Sequence, residues 1–443
     1  MSRRKQGREL FNSHVGVVLS CVGAAMGLAN VWLFPGRLVE FGGVTFLIPY
    51  FIFLFGLSRF GLMGEYAFGK TLRCGPVRAF ARVCETHPSC SLRALRGSGW
   101  FPVGVLLATC SFYVVIIGWI LRYVVLSCTN ALAGTQAHDL FYQVAGTSAN
   151  VPWTLAAIAL TACVVSVGVQ KGVERGNIIM MVLFYGVLAF ITGYIFTLPN
   201  AWIGMRRMLA FQSSSLCNPR LWLYALGMSF FSLSLGGAAM VLYGSYMPDT
   251  VDIPRTAFQT VTLDFLASGM SALCLIPSAW VLGMDVSSGP EFLFVTITRV
   301  ASQIPMGVMI SVLFFLCVLC AALSSAIAML EVILESFVHT CTVGRRTLTW
   351  SLALVVAFVS LPLNASMRVF ETFTDIVVVI LSPLSALMGS VMIFWVYGAE
   401  RCRVAINRCA RGPLGKWFTP YMRYVYLGLC VMIMVLGVMF GGF

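Results

Sequence analysis

Long apolar runs closed by short polar or basic stretches recur along the chain, near 14–35, 43–67, 100–127, 152–168, 177–198, 221–246, 257–283, 305–337, 347–363, 374–398 and 424–442. Each is long enough to cross about 30 Å of hydrocarbon as a helix, so the pattern predicts an all-α integral membrane protein with about 11 transmembrane helices. Two of these runs are interrupted. The first, "GVVLSCVGAAMGLANVWLFPG" (16–36), crowds small residues, Asn30 and Pro35 together, and the sixth contains "FFSLSLGGAAMVLYGSY" (230–246). Lipid offers no partner to a freed backbone amide or carbonyl, so a break at bilayer depth is tolerated only where protein or a water-lined cavity surrounds it. Small residues alone can serve close helix packing. Two interrupted spans at corresponding places in two five-helix halves point instead to a 5+5 inverted repeat, with broken helices 1 and 6 enclosing a site. The halves would occupy 14–198 and 221–398, followed by an extra helix at 424–442, all in one domain covering 1–443.

Composition agrees with the pattern. The chain is 59% hydrophobic and 10% charged, with a mean hydropathy of +0.90, which excludes a soluble globular domain. The net charge is +13. With the N-terminus cytoplasmic, 21 basic residues fall inside, including Arg3, Arg4, Lys5, Arg8 and those of loops 70–96 and 401–423, against about seven outside, as basic loops require. The C-terminus is then external. The charge is explained by topology and contact with an anionic lipid bilayer, and with no interleaving of basic and aromatic residues no nucleic-acid partner is expected. The opening "MSRRKQGR" is similar to a signal peptide's charged start, but the apolar run that follows is too long and has no small-residue cleavage site, so it is read as retained. Most of the 15 cysteines lie in spans or cytoplasmic loops and are expected to be reduced, with an outer Cys128–Cys217 pair left open. The absence of HExxH, nucleophile-elbow and Walker sequences argues against an enzyme.

A broken helix leaves free carbonyls at the end of one half and free amides at the start of the other. Carbonyls suit a cation and amides suit a carboxylate. Clustered His or Cys ligands are absent, with histidines only at 14, 87, 138 and 339, so oxygen ligands and a hard cation such as Na⁺ fit better than a transition metal.

Several ordered stretches carry a resemblance over nearly the whole chain: "GAAMGLANVWLFP", "EFGGVTFLIPY", "GVQKGVERGNIIMMVLF", "LGMSFFSLSLGGAAMVLYGSY", "CAALSSAIAMLE" and "FWVYGAERCRVAINR". Together they resemble the neurotransmitter:sodium symporter family, whose bacterial members have the leucine-transporter fold. The resemblance implies a sodium-coupled importer of an amino acid, apolar or aromatic, in the inner membrane, working by alternating access. It implies one sodium at the Ala25 carbonyl, Asn30, Ser232 and Asp264, and a second at Gly23, Met26, Ala321, Ser324 and Ser325. The substrate carboxylate would meet the amides around Leu28 and Ala29 and the Tyr113 hydroxyl. The remaining contacts implied are Ala24, Ala25, Thr109, Phe231, Ser232, Ser234, Gly237, Ser325 and Met329. Gly237 stands where bulkier members place an aromatic ring, which implies room for a larger side chain. Ordinary alternatives remain for some of these: Ser324 and Ser325 could bond back to carbonyls one turn earlier, and Tyr113, Phe231 and Met329 could be core.

The departures from the family pattern are informative. An Arg–Asp outer gate is replaced by Leu33 and, by ungapped spacing from Trp395, Thr374; losing both is coherent because a lone buried charge costs several kcal/mol. At the inner gate Arg8 faces His339 in place of an acid, with Glu335 as a substitute one turn earlier. Met228 replaces the usual chloride-binding Gln, whereas Tyr50, Ser232 and Ser268 are retained. An ionised Asp264 at bilayer depth costs roughly 2.5–3.5 kcal/mol on insertion scales and needs a partner; its charge could stand in for chloride, so chloride is not an expected requirement. The competing expectations are a proton-coupled transporter on the same fold and a non-transporting amino-acid sensor. The residues leave the amino acid, the stoichiometry and the oligomeric state open.

Overall fold

The computed structural model describes residues 9–86, 93–132, 136–284, 286 and 289–440, and among them every regular element is helical. The first run is two helices, α1 (His14–Ala25) and α2 (Ala29–Glu40), bent by 65° at their junction. Four continuous helices follow: α3 (Val44–Leu72), α4 (Leu95–Cys128), α5 (Ser148–Val167) and α6 (Val169–Ile195). The sixth run is again a pair, α7 (Pro219–Ser232) and α8 (Ala239–Tyr246), separated by non-helical residues 233–238. The chain continues through α9 (Ile253–Val281), α10 (Gly307–Val338), α11 (Arg345–Ala365), α12 (Met367–Asn407) and α13 (Phe418–Phe440). Among the described residues, nine helices are each long and apolar enough to cross a membrane, and the bent pair α1–α2 makes a tenth crossing. The broken α7–α8 pair occupies the remaining expected span.

Helix starts follow local chemistry. Ser13 caps α1 by accepting from the Gly16 amide at 2.9 Å, while the Glu174 carboxylate accepts from the Asn12 amide at 2.9 Å. Asn218 and Asp252 cap α7 and α9, each followed by a proline in the first turn, where the missing N–H costs nothing. Where α8 crosses α3, both backbones come close: a Cβ on Gly244 would lie 2.6 Å from the Tyr66 carbonyl oxygen. Only glycine allows that approach.

At the end of the bundle nearest the N-terminus, Glu331 of α10 is buried. It accepts from the Tyr246 hydroxyl of α8 at 2.8 Å and from Arg345 of α11 at 2.5 Å. Arg345 also donates to the Val165 carbonyl of α5 at 3.0 Å. Glu335, the expected substitute partner, accepts from the Gly75 amide at 3.1 Å and lies 3.8 Å from His339; Arg8 is outside the described residues. Cys128 and Cys217 are free thiols, so the outer disulfide left open by the sequence is not formed.

Candidate functional site

The two breaks face each other. Between α1 and α2 the backbone turns extended at Met26, and several of the freed groups find a side chain. The Leu28 amide donates to the Tyr113 oxygen at 3.1 Å, and the Gly27 amide to Asn30 Oδ1 at 3.4 Å. The Ala24 and Ala25 carbonyls accept from the Ser234 hydroxyl, 3.1 and 3.4 Å away, which comes from the other break. Local composition explains the opening: Gly27 keeps the junction small, and Asn30 supplies the replacement hydrogen bond that a helical carbonyl no longer gives.

In the second break, Ser234 and Gly237 both take positive φ, +51° and +72°. The Gly237 amide donates to Glu65 of α3 at 3.0 Å, and the Gly236 carbonyl accepts from Ser385 of α12 at 2.8 Å. Glu65 was not singled out from the sequence. The signal was available, because an ionisable residue inside an apolar span is by default functional, but "GLMGEYAFG" gave no hint of which distant amide it would hold.

Two oxygen clusters flank the breaks. In the first, buried Asn30, Ser232, Asp264 and Ser268 converge. Asn30 Nδ2 donates to Asp264 at 2.7 Å, to Ser268 at 3.0 Å and to Ser232 at 3.1 Å; Ser232 donates to the second Asp264 oxygen at 2.5 Å. The Tyr50 hydroxyl is 3.5 Å from Ser232. In the second cluster, Ser324 donates to the Gly23 carbonyl at 3.0 Å and Ser325 to the Gly23 and Met26 carbonyls at 3.1 and 2.7 Å. Ser324 also bonds back to Ala321 at 2.8 Å. The back-bond is therefore present, but both hydroxyls also reach across to α1, which an ordinary helix-internal serine does not do.

Between the clusters lies a cavity of about 470 Å³, within the size range of small-molecule sites. Its wall includes Ala24, Ala25, Leu28, Ala29 and Asn30 of the first break, with Thr109 and Tyr113 of α4. Phe231, Ser234, Ser325 and Met329 complete the expected set. Phe231, 41% exposed, lines this space. Leu33 and Thr374 line the same cavity.

Two implied contacts are corrected. Ser232 faces the Asp264 cluster and not the cavity, because its hydroxyl is committed to the carboxylate. Gly237 is also absent from the wall: a Cβ there would lie 2.7 Å from Gly389 Cα of α12. The glycine serves a left-handed turn packed against another backbone, and does not enlarge a pocket for a bulky side chain.

A bundle of membrane-crossing helices, two of them broken around a central cavity and flanked by oxygen-rich clusters, defines a membrane protein that handles a hard cation together with a small solute. The model of the sodium:neurotransmitter symporter family matches residues 8–150 and 136–440. The chain belongs to that family. It is 32% identical over 396 residues to an uncharacterized sodium-dependent transporter of Bacillus subtilis, covering 86% of each chain. It is 24% identical to the sodium-dependent serotonin transporter of Drosophila melanogaster, covering 99% of this chain and 78% of that one. The fold superposes on the crystal structure of MhsT in complex with L-phenylalanine with a TM-score of 0.85 at 26% identity, over 97% of this chain and 100% of the other. The protein is thus a multi-pass, sodium-coupled membrane transporter with the leucine-transporter fold.

Proposed function

We propose that this transporter carries a zwitterionic amino acid, apolar or aromatic, into the cell across the inner membrane by alternating access. The observation that carries the reading is the juxtaposition of a largely apolar cavity with the Leu28 amide and Tyr113 hydroxyl, 3.1 Å apart, donors suited to a carboxylate. The phenylalanine bound by MhsT supports the same substrate class. Gly27 strengthens the case for a zwitterion over an amine. A Cβ at that position would sit 3.2 Å from the Tyr113 oxygen, and Gly27 itself brings no carboxylate to meet a substrate ammonium.

In this reading the first cluster binds one sodium through the Ala25 carbonyl, Asn30, Ser232 and Asp264. Turning the Asn30 carboxamide over would present its oxygen to the ion, since the two ends of an amide have nearly the same shape. The second cluster binds another through Gly23, Met26, Ala321, Ser324 and Ser325, all of them neutral oxygens. Asp264 supplies the negative charge that compensates the ion, and chloride is not required; Met228 lies in the cavity wall and offers no amide to an anion. Competition against a labelled amino acid tests the substrate class: an α-amino acid should displace it and the corresponding decarboxylated amine should not. Equal displacement by both would sink the reading.

A further inference from the structure

The central cavity is not confined to the space between the two breaks. It continues past α7 to a second wall built by Met228 and Leu235, Pro383 and Ala386 of α12, and Cys430 and Ile433 of α13. Cys430 and Ile433 stand one turn apart on the same face of α13, and both are buried in the protein, 2% and 5% exposed. Tyr113, Asn30, Ser234 and Ser325 line the cavity at the two breaks, Arg37, Glu371, Thr374 and Asp375 also line it, and on the α12 side its polar residues are Ser382 and Ser385.

The path between these two regions is opened by the second break. Residues 233–238 do not wind as a helix, so Gly236 and Ala238 border the cavity where a regular helix would present a row of side chains. The Gly236 carbonyl beside this passage is capped by Ser385. That bond removes one polar group from the passage, and Gly237 packed on Gly389 fixes how closely α12 approaches.

We propose that this annex between α7, α12 and α13 is a subsite for the distal part of a bulky apolar side chain, with Met228, Ala386, Cys430 and Ile433 setting the length and width accepted. The assignment rests on the amino-acid reading above: the carboxylate end is held at Leu28 and Tyr113, and the side chain extends away from it. Room for a large substrate is thus created by α12 and α13, and not by the absent side chain at Gly237. An apolar wall rewards each additional buried carbon of the ligand, so selectivity should follow annex volume.

The test uses the full-length transporter in detergent and measures displacement of labelled phenylalanine by alanine, valine, phenylalanine and tryptophan. Ala386→Leu fills the annex and Ile433→Ala enlarges it; sodium-dependent thermal stabilisation verifies that each variant is folded. The affinity ratio of tryptophan to alanine should fall at least ten-fold in Ala386→Leu and rise in Ile433→Ala. A ratio that stays put in both, or moves the same way in both, overturns the annex assignment alone. A wild-type protein that binds none of the four amino acids overturns the substrate reading and the annex with it.

Discussion

Replacing Ser324 and Ser325 together by alanine removes two hydroxyls that bridge α10 to the broken first helix at 2.7–3.1 Å. Hydrogen-bond-like contacts to a charged group are each worth about 1.5–3 kcal/mol. Losing both should weaken sodium binding by about 3 kcal/mol or more, which is at least roughly 100-fold. The same change also deprives the Gly23 and Met26 carbonyls of a partner, so some loss of intrinsic stability is expected, at about 1–3 kcal/mol per unsatisfied group. Linkage separates the two effects. Sodium at one hundred times its dissociation constant stabilises the wild type by about 2.7 kcal/mol. At the same concentration a 100-fold weaker site gives only about 0.4 kcal/mol. The assay is a thermal midpoint measured with and without sodium, potassium replacing it, in parallel with membrane abundance. A midpoint that drops equally in both salts, with the sodium increment intact, would show that the serines are structural and refute their role as ligands.

Three further outcomes are expected. Gluconate in place of chloride should leave wild-type uptake intact, whereas Asp264→Asn should lose activity in either salt; strong chloride dependence of the wild type would remove Asp264 as the compensating charge. Glu65→Gln, which keeps an acceptor for the Gly237 amide, should remain close to wild type in thermal stability, while Glu65→Leu strands that amide and should cost about 1–3 kcal/mol; equal behaviour of the two in a thermal scan contradicts the capping role. Gly237→Ala should be poorly folded, since φ is +72° and Gly389 stands 2.7 Å from the new Cβ, and a well-folded variant with narrowed substrate range would restore Gly237 to the pocket wall.

Legibility in the sequence followed the range of the interactions. The spans and both breaks were readable because hydropathy and small-residue clusters are local properties, and Asn30, Ser324 and Ser325 lie within short motifs. The partners of the breaks were not readable in the same way. Glu65 reaches Gly237 across 172 positions, and nothing in either neighbourhood specifies the other. Gly237 misled for a related reason: a glycine in sequence does not tell whether it leaves space for a ligand or for another backbone, and only the position of Gly389 decides. The contribution of α13 to the cavity was equally hidden, because "LGLCVMIMVLG" is apolar all round and its cavity-facing stripe becomes defined only once α7 and α12 are in place.

The most direct measurement is uptake by the purified protein in liposomes, with labelled phenylalanine and tryptophan outside and a sodium gradient imposed inward. Accumulation against the amino-acid gradient that collapses when sodium is equalised, and that persists with external and internal pH matched, is the predicted result. Uptake indifferent to sodium but driven by a pH gradient would contradict sodium coupling at the two oxygen clusters.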